Sequence, residues 1–106
     1  MLKRIRCRPY VKDGKLWVEF TFELMDGTIR TQDLPYNWPN PIRIRVGADT
    51  PPDIIECLIG VDERTRAPVM RVRLKFRDGQ QHDEHQPVAD GYLEIVFKPK
   101  PNKELN

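Results

Sequence analysis

The chain has 106 residues, of which 39% are apolar and 32% charged, and its formal net charge is +2. This length is typical of one domain with a single core, and the composition is that of a globular protein with a charged surface. Residues 1–50 carry nine cations against six anions, and residues 51–106 carry nine against ten. Neither half is strongly basic, which disfavours general affinity for phosphate backbones.

The first residues, MLKRIRC, contain no apolar stretch of the kind that a secretory signal needs, and no apolar run reaches the length of a membrane span. We therefore expect cytoplasmic residence and no membrane partner. Cys7 and Cys57 form no C-x-x-C pair and have no histidine at zinc-finger spacing. We predict that both are buried free thiols, with a disulfide between them as the less favoured alternative.

The first predicted hairpin turns at Asp13-Gly14, which is a strong short-range hairpin signal. With these two residues at the centre of a tight turn, one face of the hairpin is apolar. The other face pairs polar or aromatic residues across the two strands: Arg4 with Glu23, Arg6 with Thr21, Arg8 with Glu19, and Tyr10 with Trp17. Two complementary charge pairs on one face support this register.

A second Asp-Gly pair, Asp26-Gly27, predicts another tight turn. The same turn geometry sets Glu23 opposite Arg30, so that Glu23 lies between arginines of two neighbouring strands. A further strand, residues 42–46, is expected after the segment PYNWPNP.

The pattern recurs at a shift of about 50 residues, which brings Cys57 onto Cys7 and Asp78-Gly79 onto Asp26-Gly27. We predict an all-β fold of about eight short antiparallel strands in a small barrel or sandwich, and a closed or nearly closed form would remove most free edges. It is built from two ββββ repeats related by a pseudo-twofold axis. The organisation we expect is repeat 1 at 4–47, repeat 2 at 54–98, one domain over 1–98 and a flexible tail at 99–106.

The segment at 51–59 supports two interpretations. TPPDIIECLIG resembles a short helix with Thr50 as N-cap and Gly60 as terminator. The alignment of the repeats and the β-branched residues favour a strand, and we predict a strand here.

A cluster of cations is predicted on the second hairpin, where Glu56 is the only clear acidic partner. Such a cluster is typical of an anion or nucleic-acid patch, although a solvated outer face needs cations as well. Its members are Arg64, Arg66, Arg71, Arg73, Lys75 and Arg77.

The segment QQHDEHQP contains the metal-capable residues His82, Asp83, Glu84 and His85. In a regular strand His82 and His85 would point to opposite faces, whereas in a bent loop they could share an ion with a carboxylate. The alternative is a polar edge strand whose charges discourage pairing with other chains. We expect no metal and no cofactor.

Four aromatic residues are the remaining candidates for a binding surface. Tyr36 and Trp38 lie in a proline-rich loop, and Tyr10 and Trp17 form the outward pair of the first hairpin. A stiff loop with exposed aromatic side chains suits protein recognition. The alternative for Trp38 is that it covers one end of the core.

No catalytic constellation is present: the chain has no serine and no glycine-rich phosphate loop, and both cysteines fall on core faces. The leading hypothesis is a non-catalytic protein-interaction module that uses an aromatic surface and can include self-association. The alternatives are nucleic-acid binding through the arginine-rich hairpin and a metal-assisted enzyme at His82 and His85. The repeat and turns are those of small β-barrels in general and carry no single family's signature.

Overall fold

The computed structural model describes residues 2–46 and 52–97. Eight strands and one short 3-10 turn account for the regular structure of these residues. Their bounds are β1 Leu2–Lys12, β2 Lys15–Leu24, β3 Ile29–Pro35, β4 Ile42–Arg45, β5 Ile54–Val61, β6 Pro68–Lys75, β7 Gln81–Pro87, the 3-10 turn Val88–Asp90 and β8 Leu93–Val96.

The strands form two four-stranded antiparallel sheets, which confirms the all-β prediction and defines a sandwich. Sheet 1 has the order β3-β2-β1-β8 and sheet 2 the order β4-β5-β6-β7. The last strand of each half pairs with the first strand of the other half, so β4 joins β5 and β8 joins β1. The strands β3, β8, β4 and β7 form the edges of the two sheets.

The first hairpin has the predicted register, since Arg4 lies opposite Glu23 and Tyr10 opposite Trp17. In the second repeat, β5 and β6 pair with Cys57 opposite Val72 and Glu56 opposite Arg73. Residues 54–61 are a strand, which confirms the preferred interpretation of this segment over a helix. Thr50 and Pro51, which would begin that helix, lie outside the described residues. The predicted tail at 99–106 lies outside them as well.

The turn at Asp26-Gly27 differs from the prediction by one residue. Leu24 N–H donates to the carbonyl of Thr28 at 2.8 Å, which closes a loop of three residues rather than two. Gly27 has a φ of +90°, as the last residue of such a loop requires, because that region is open mainly to glycine.

This extra residue changes the neighbours of every residue on β3. Glu23 lies opposite Ile29, and Arg30 lies opposite Phe22 on the inner side of the sheet. The prediction that Glu23 sits between two arginines of neighbouring strands is therefore wrong. The shift also leaves the polar side chain of Arg30 facing the space between the sheets.

We expect Gly27→Ala to destabilise the protein by about 1 kcal/mol or more, because alanine is strained at positive φ. The measurement is urea denaturation, with Gly60→Ala as the matched control. Gly60 lies within β5 at a negative φ, and a Cβ there would meet nothing within 4 Å. Equal effects of the two substitutions would contradict the assigned turn.

The core lies between the sheets and is formed by alternate residues of the central strands. Cys7 and Cys57, which correspond in the two repeats, are both fully buried and free, as predicted. None of the buried residues of the described chain is polar or charged. The largest fully buried side chains include Phe20, Leu2, Ile5, Ile55, Met70 and Leu74.

The strand directions place the loops of both sheets at two ends of the sandwich. We call the end that carries residues 13–14, 36–41 and 62–67 the Trp38 end. The opposite end carries the turns at 25–27 and 77–79. The hydroxyl of Tyr36, which follows β3, bonds the backbone of Ile59 on β5, and this contact fixes the two sheets together at the Trp38 end.

Candidate binding surface at the Trp38 end

The arginines of β1 are paired along the outer face of sheet 1. Arg8 Nε lies 3.1 Å from a carboxylate oxygen of Glu19, and Arg4 Nε lies 3.7 Å from Glu23. The structure also gives a partner to Arg6, whose guanidinium lies 3.0 Å from Glu94 of β8. These arginines therefore stabilise the sheet face rather than offer free charge.

Tyr10 belongs to the same network. Its hydroxyl donates to Asp33 at 2.6 Å, and this hydrogen bond raises the pKa of the tyrosine. The guanidinium of Arg8 lies 4.9 Å from the centre of the Tyr10 ring. Trp17 is half-buried opposite Tyr10. Both predicted binding residues are thus part of a paired sheet surface.

The predicted cation patch on sheet 2 also meets carboxylates. Arg73 Nε lies 2.9 Å from Asp83, and this contact lowers the pKa of that carboxyl. Lys75 lies 3.3 Å from Glu56, and Arg77 lies 3.8 Å from Asp53.

Glu56 also binds Arg43 of β4, at 2.6 Å. Burial raises the pKa of Glu56, but the hydrogen bonds from Arg43 and Lys75 outweigh it and the net direction is down. Within residues 2–46 and 52–97, Arg64, Arg66 and Arg71 have no ion-pair partner. In the part of the chain that the structure describes, three cations of the patch are thus left without an ion pair, two of them in the loop after β5.

The histidine segment forms the regular edge strand β7. His82 lies opposite Leu74 on the inner side, and His85 lies opposite Arg71 on the outer side. The ring nitrogen of His82 lies 2.5 Å from Glu84. The two histidines cannot share an ion in this strand, and the described part of the chain holds no group of three His, Cys, Asp or Glu side chains suited to a metal.

The two thiols do not offer a nucleophile. Burial raises the pKa of Cys57 to about 12, and burial together with the neighbouring Cys57 raises that of Cys7 well above its ordinary range. The thiolate is the reactive form, and these surroundings disfavour it.

Tyr36 does not lie on the surface with Trp38. It is 7% exposed, its hydroxyl donates to the carbonyl of Ile59 at 3.1 Å, and it accepts from the Ile59 N–H at 3.0 Å. β4 begins at Ile42 and pairs with β5 only as far as Cys57, so the hydroxyl takes the place of a strand beside Ile59. Tyr36 therefore positions the loop that follows it.

Trp38 is the residue that this loop exposes, with 74% of its surface accessible. Asn40 N–H donates to the carbonyl of Asn37 at 2.8 Å, and Trp38 and Pro39, joined by a cis peptide bond, lie between them. A depression of about 330 Å³ beside the loop is lined by Leu34, Pro35, Asn37, Asn40, Pro41, Ile42 and Arg43. The turn thus exposes an aromatic ring, and the residues that flank this turn line a concave surface.

Two exposed valines also lie at the Trp38 end. Val11, near the end of β1, is 71% exposed, and Val61, which corresponds to it in the second repeat, is 64% exposed. A single exposed valine is ordinary, but apolar residues near the ends of two central strands, at the same end of the fold as an exposed tryptophan, suit protein contact. Sequence reasoning missed Val11 and Val61, although their placement at equivalent strand ends was readable from the repeat.

No family model, curated protein or solved structure matches this chain. Within the described residues, no helix is long and apolar enough to cross a membrane.

Proposed function

We propose that the protein is a non-catalytic module that binds an apolar segment of another protein at its Trp38 end. The observation that carries this proposal is the 74% exposure of Trp38 on a turn anchored by a buried tyrosine. Tryptophan is a favoured central residue of protein interfaces. A fixed loop loses little conformational freedom on binding, so more of the contact energy contributes to affinity.

The depression beside the Trp38 loop supports the same proposal. Its wall contains the apolar side chains of Leu34 and Ile42 and two prolines. An apolar side chain of the partner would fill this depression while Trp38 packs against the neighbouring part of the same segment. Residues at the rim, such as Asn37 and Asn40, would hydrogen-bond the partner's backbone.

Nucleic-acid binding receives less support from the geometry. Three of the six predicted cations lie beside carboxylates, and paired charges contribute little to phosphate attraction. Metal-assisted catalysis receives less support because His82 and His85 lie on opposite faces of β7. A cytoplasmic location stays a prediction, and it agrees with two free thiols.

The experiment is selection of a displayed peptide library on the wild-type protein, followed by affinity measurement of the recovered peptides. We expect apolar peptides whose binding weakens at least about tenfold in Trp38→Ser, as for a central interface residue. Arg71→Ser, on the outer face of sheet 2, is the matched control and leaves binding unchanged. Recovered peptides that bind Trp38→Ser as tightly as wild type would overturn the proposal.

Trp38→Ser is expected to change the free energy of unfolding by less than about 0.5 kcal/mol, because the side chain is exposed and makes few contacts. Urea denaturation of the two proteins measures this. A loss of several kcal/mol would show that Trp38 covers the core instead of serving a partner.

A second copy of the chain is one protein partner that the surface could accept. Sedimentation velocity over a wide concentration range separates this case from a different partner. Dimers that dissociate in Trp38→Ser would place the partner surface on the same chain, and a monomer at all concentrations would leave a different protein as the partner.

A further inference from the structure

The opposite end of the sandwich contains two grooves that the internal repeat relates to each other. Each lies between the two sheets, beside a turn of the Asp-Gly type. Groove 1 has a volume of about 550 Å³ and is lined by residues that include Phe22, Leu24, Arg30, Ile44, Arg45 and Val46. Groove 2 has a volume of about 380 Å³ and is lined by residues that include Leu74, Phe76, His82, Ile95, Val96 and Phe97.

The six residues named for each groove correspond one to one at shifts of 51 and 52 residues. The apolar positions keep their character in both grooves, so both have an apolar floor. The charged positions do not: Arg30 of groove 1 corresponds to His82 of groove 2, and Arg45 corresponds to Val96. The grooves therefore share a shape but differ in charge.

Within the described residues, the two arginines of groove 1 have no ion-pair partner. Arg30 lies opposite Phe22 on the inner side of β3. Arg45 lies on β4, the edge strand of the other sheet, beside Ile44, which faces the buried Ile55, so Arg45 lines the groove at its outer rim. Neither has an ion-pair partner within residues 2–46 and 52–97. In groove 2, by contrast, His82 lies 2.5 Å from a carboxylate oxygen of Glu84. Groove 1 thus combines an apolar floor with two arginines that form no ion pair with a carboxylate of the described residues.

We propose that groove 1 binds a free fatty acid, with its carboxylate at Arg30 and Arg45 and its acyl chain against Phe22, Leu24 and Ile44. A volume of about 550 Å³ lies within the range of roughly 300–1,000 Å³ that small-ligand sites occupy. Arginine suits a carboxylate because its planar fork donates two parallel hydrogen bonds. The bound acyl chain would cover apolar surface of the groove that is otherwise in contact with water.

This site is separate from the Trp38 end, and its test does not depend on the proposed function. The probes are decanoate and decanol, which share the acyl chain and differ in the charged group. Calorimetric titration at pH 8 is expected to show one decanoate bound per chain. We expect decanol to bind at least about tenfold more weakly than decanoate, because it lacks the charge-assisted contacts.

The decisive variant is Arg30→His with Arg45→Val, which places the residues of groove 2 at the corresponding positions of groove 1. Both arginines are exposed, so folding is expected to be preserved, and circular dichroism checks this. The matched control is Lys12→His with Arg64→Val, which removes two exposed cations at the Trp38 end. Decanoate binding is expected to weaken about tenfold in the first variant only, with decanol binding unchanged in both.

Amide chemical shifts locate the ligand and complete the test. Decanoate is expected to move the resonances of Phe22, Leu24 and Ile44. Equal affinity for decanol and decanoate, undiminished decanoate binding in the double variant, or shifts confined to groove 2 would each overturn the proposal.

Discussion

Above about pH 9 the wild-type protein is expected to lose stability steeply, and a variant carrying Cys7→Ala and Cys57→Ala is expected to lose it much more gradually. Both thiols are fully buried. Burial raises the pKa of Cys57 from 9.0 to about 12, and that of Cys7 rises well above its ordinary range. In the unfolded chain both thiols titrate near their ordinary value.

The sign follows from proton linkage. Between the unfolded and folded pKa values the native state keeps its thiol protons and the unfolded state has lost them, so raising the pH favours unfolding. Each thiol lowers the free energy of unfolding by about 1.4 kcal/mol per pH unit in this window. Two thiols together give about 2.7 kcal/mol per unit. The contribution is fully present below pH 9 and is lost as the pH rises.

Urea denaturation at a series of pH values between 7 and 11 measures this dependence. The quantity to compare is the slope with pH, because the alanines also change stability by a constant amount at every pH. Tyr10 is present in both proteins, so its own titration cancels in the comparison. Equal slopes for wild type and variant would show that the thiols are accessible to solvent in the native state.

Tyr36→Phe is expected to cost about 1–3 kcal/mol, although it removes a single oxygen atom. That hydroxyl satisfies both the N–H and the carbonyl of Ile59, at a point of β5 that β4 does not reach. Phenylalanine fills the same space but leaves both backbone groups buried without a partner, and an unsatisfied buried polar group carries the full cost of its desolvation.

Tyr10→Phe is the matched control for this substitution. Its hydroxyl also makes a short hydrogen bond, 2.6 Å to Asp33, but on an exposed sheet face where water replaces the lost partner. We expect less than about 1 kcal/mol for that change. Urea denaturation compares the two, and equal costs would contradict the role assigned to Tyr36. Faster hydrogen exchange at the Ile59 amide in Tyr36→Phe would locate the effect.

Much of the fold was predictable from local patterns because each hairpin depends on neighbouring residues. The two Asp-Gly pairs of the first repeat show where prediction from local patterns fails. Asp13 and Gly14 both have positive φ, at 53° and 75°, whereas at Asp26-Gly27 only the glycine does. The same dipeptide thus closes a two-residue loop in one place and a three-residue loop in the other, and packing beyond the turn decides between them.

Long-range pairing was not predictable in this way. The exchange of β4 and β8 between the halves brings Glu94 to Arg6, 88 residues away along the chain, and no local signal marks that pair. The same exchange supplies Arg43 to Glu56. Sequence reasoning therefore left Arg6 of sheet 1 without its acidic partner.

The candidate surface was predicted in part. Exposure of Trp38 was one of two interpretations that the proline-rich loop allowed, because proline and tryptophan suit both a binding loop and a cap over the core. Burial of Tyr36 depends on Ile59, which lies 23 residues away. One aromatic residue of the loop holds it in place and the other is exposed, and the sequence of the loop does not distinguish the two roles.

The central claim is that partners bind at the Trp38 end, and mapping of a bound peptide by amide chemical shifts tests it most directly. A peptide recovered by selection is titrated into isotope-labelled wild-type protein. The account predicts that the largest shifts fall at residues 36–40 and at Val11 and Val61. Largest shifts on the outer faces of the sheets, or in groove 1 at the opposite end, would contradict it.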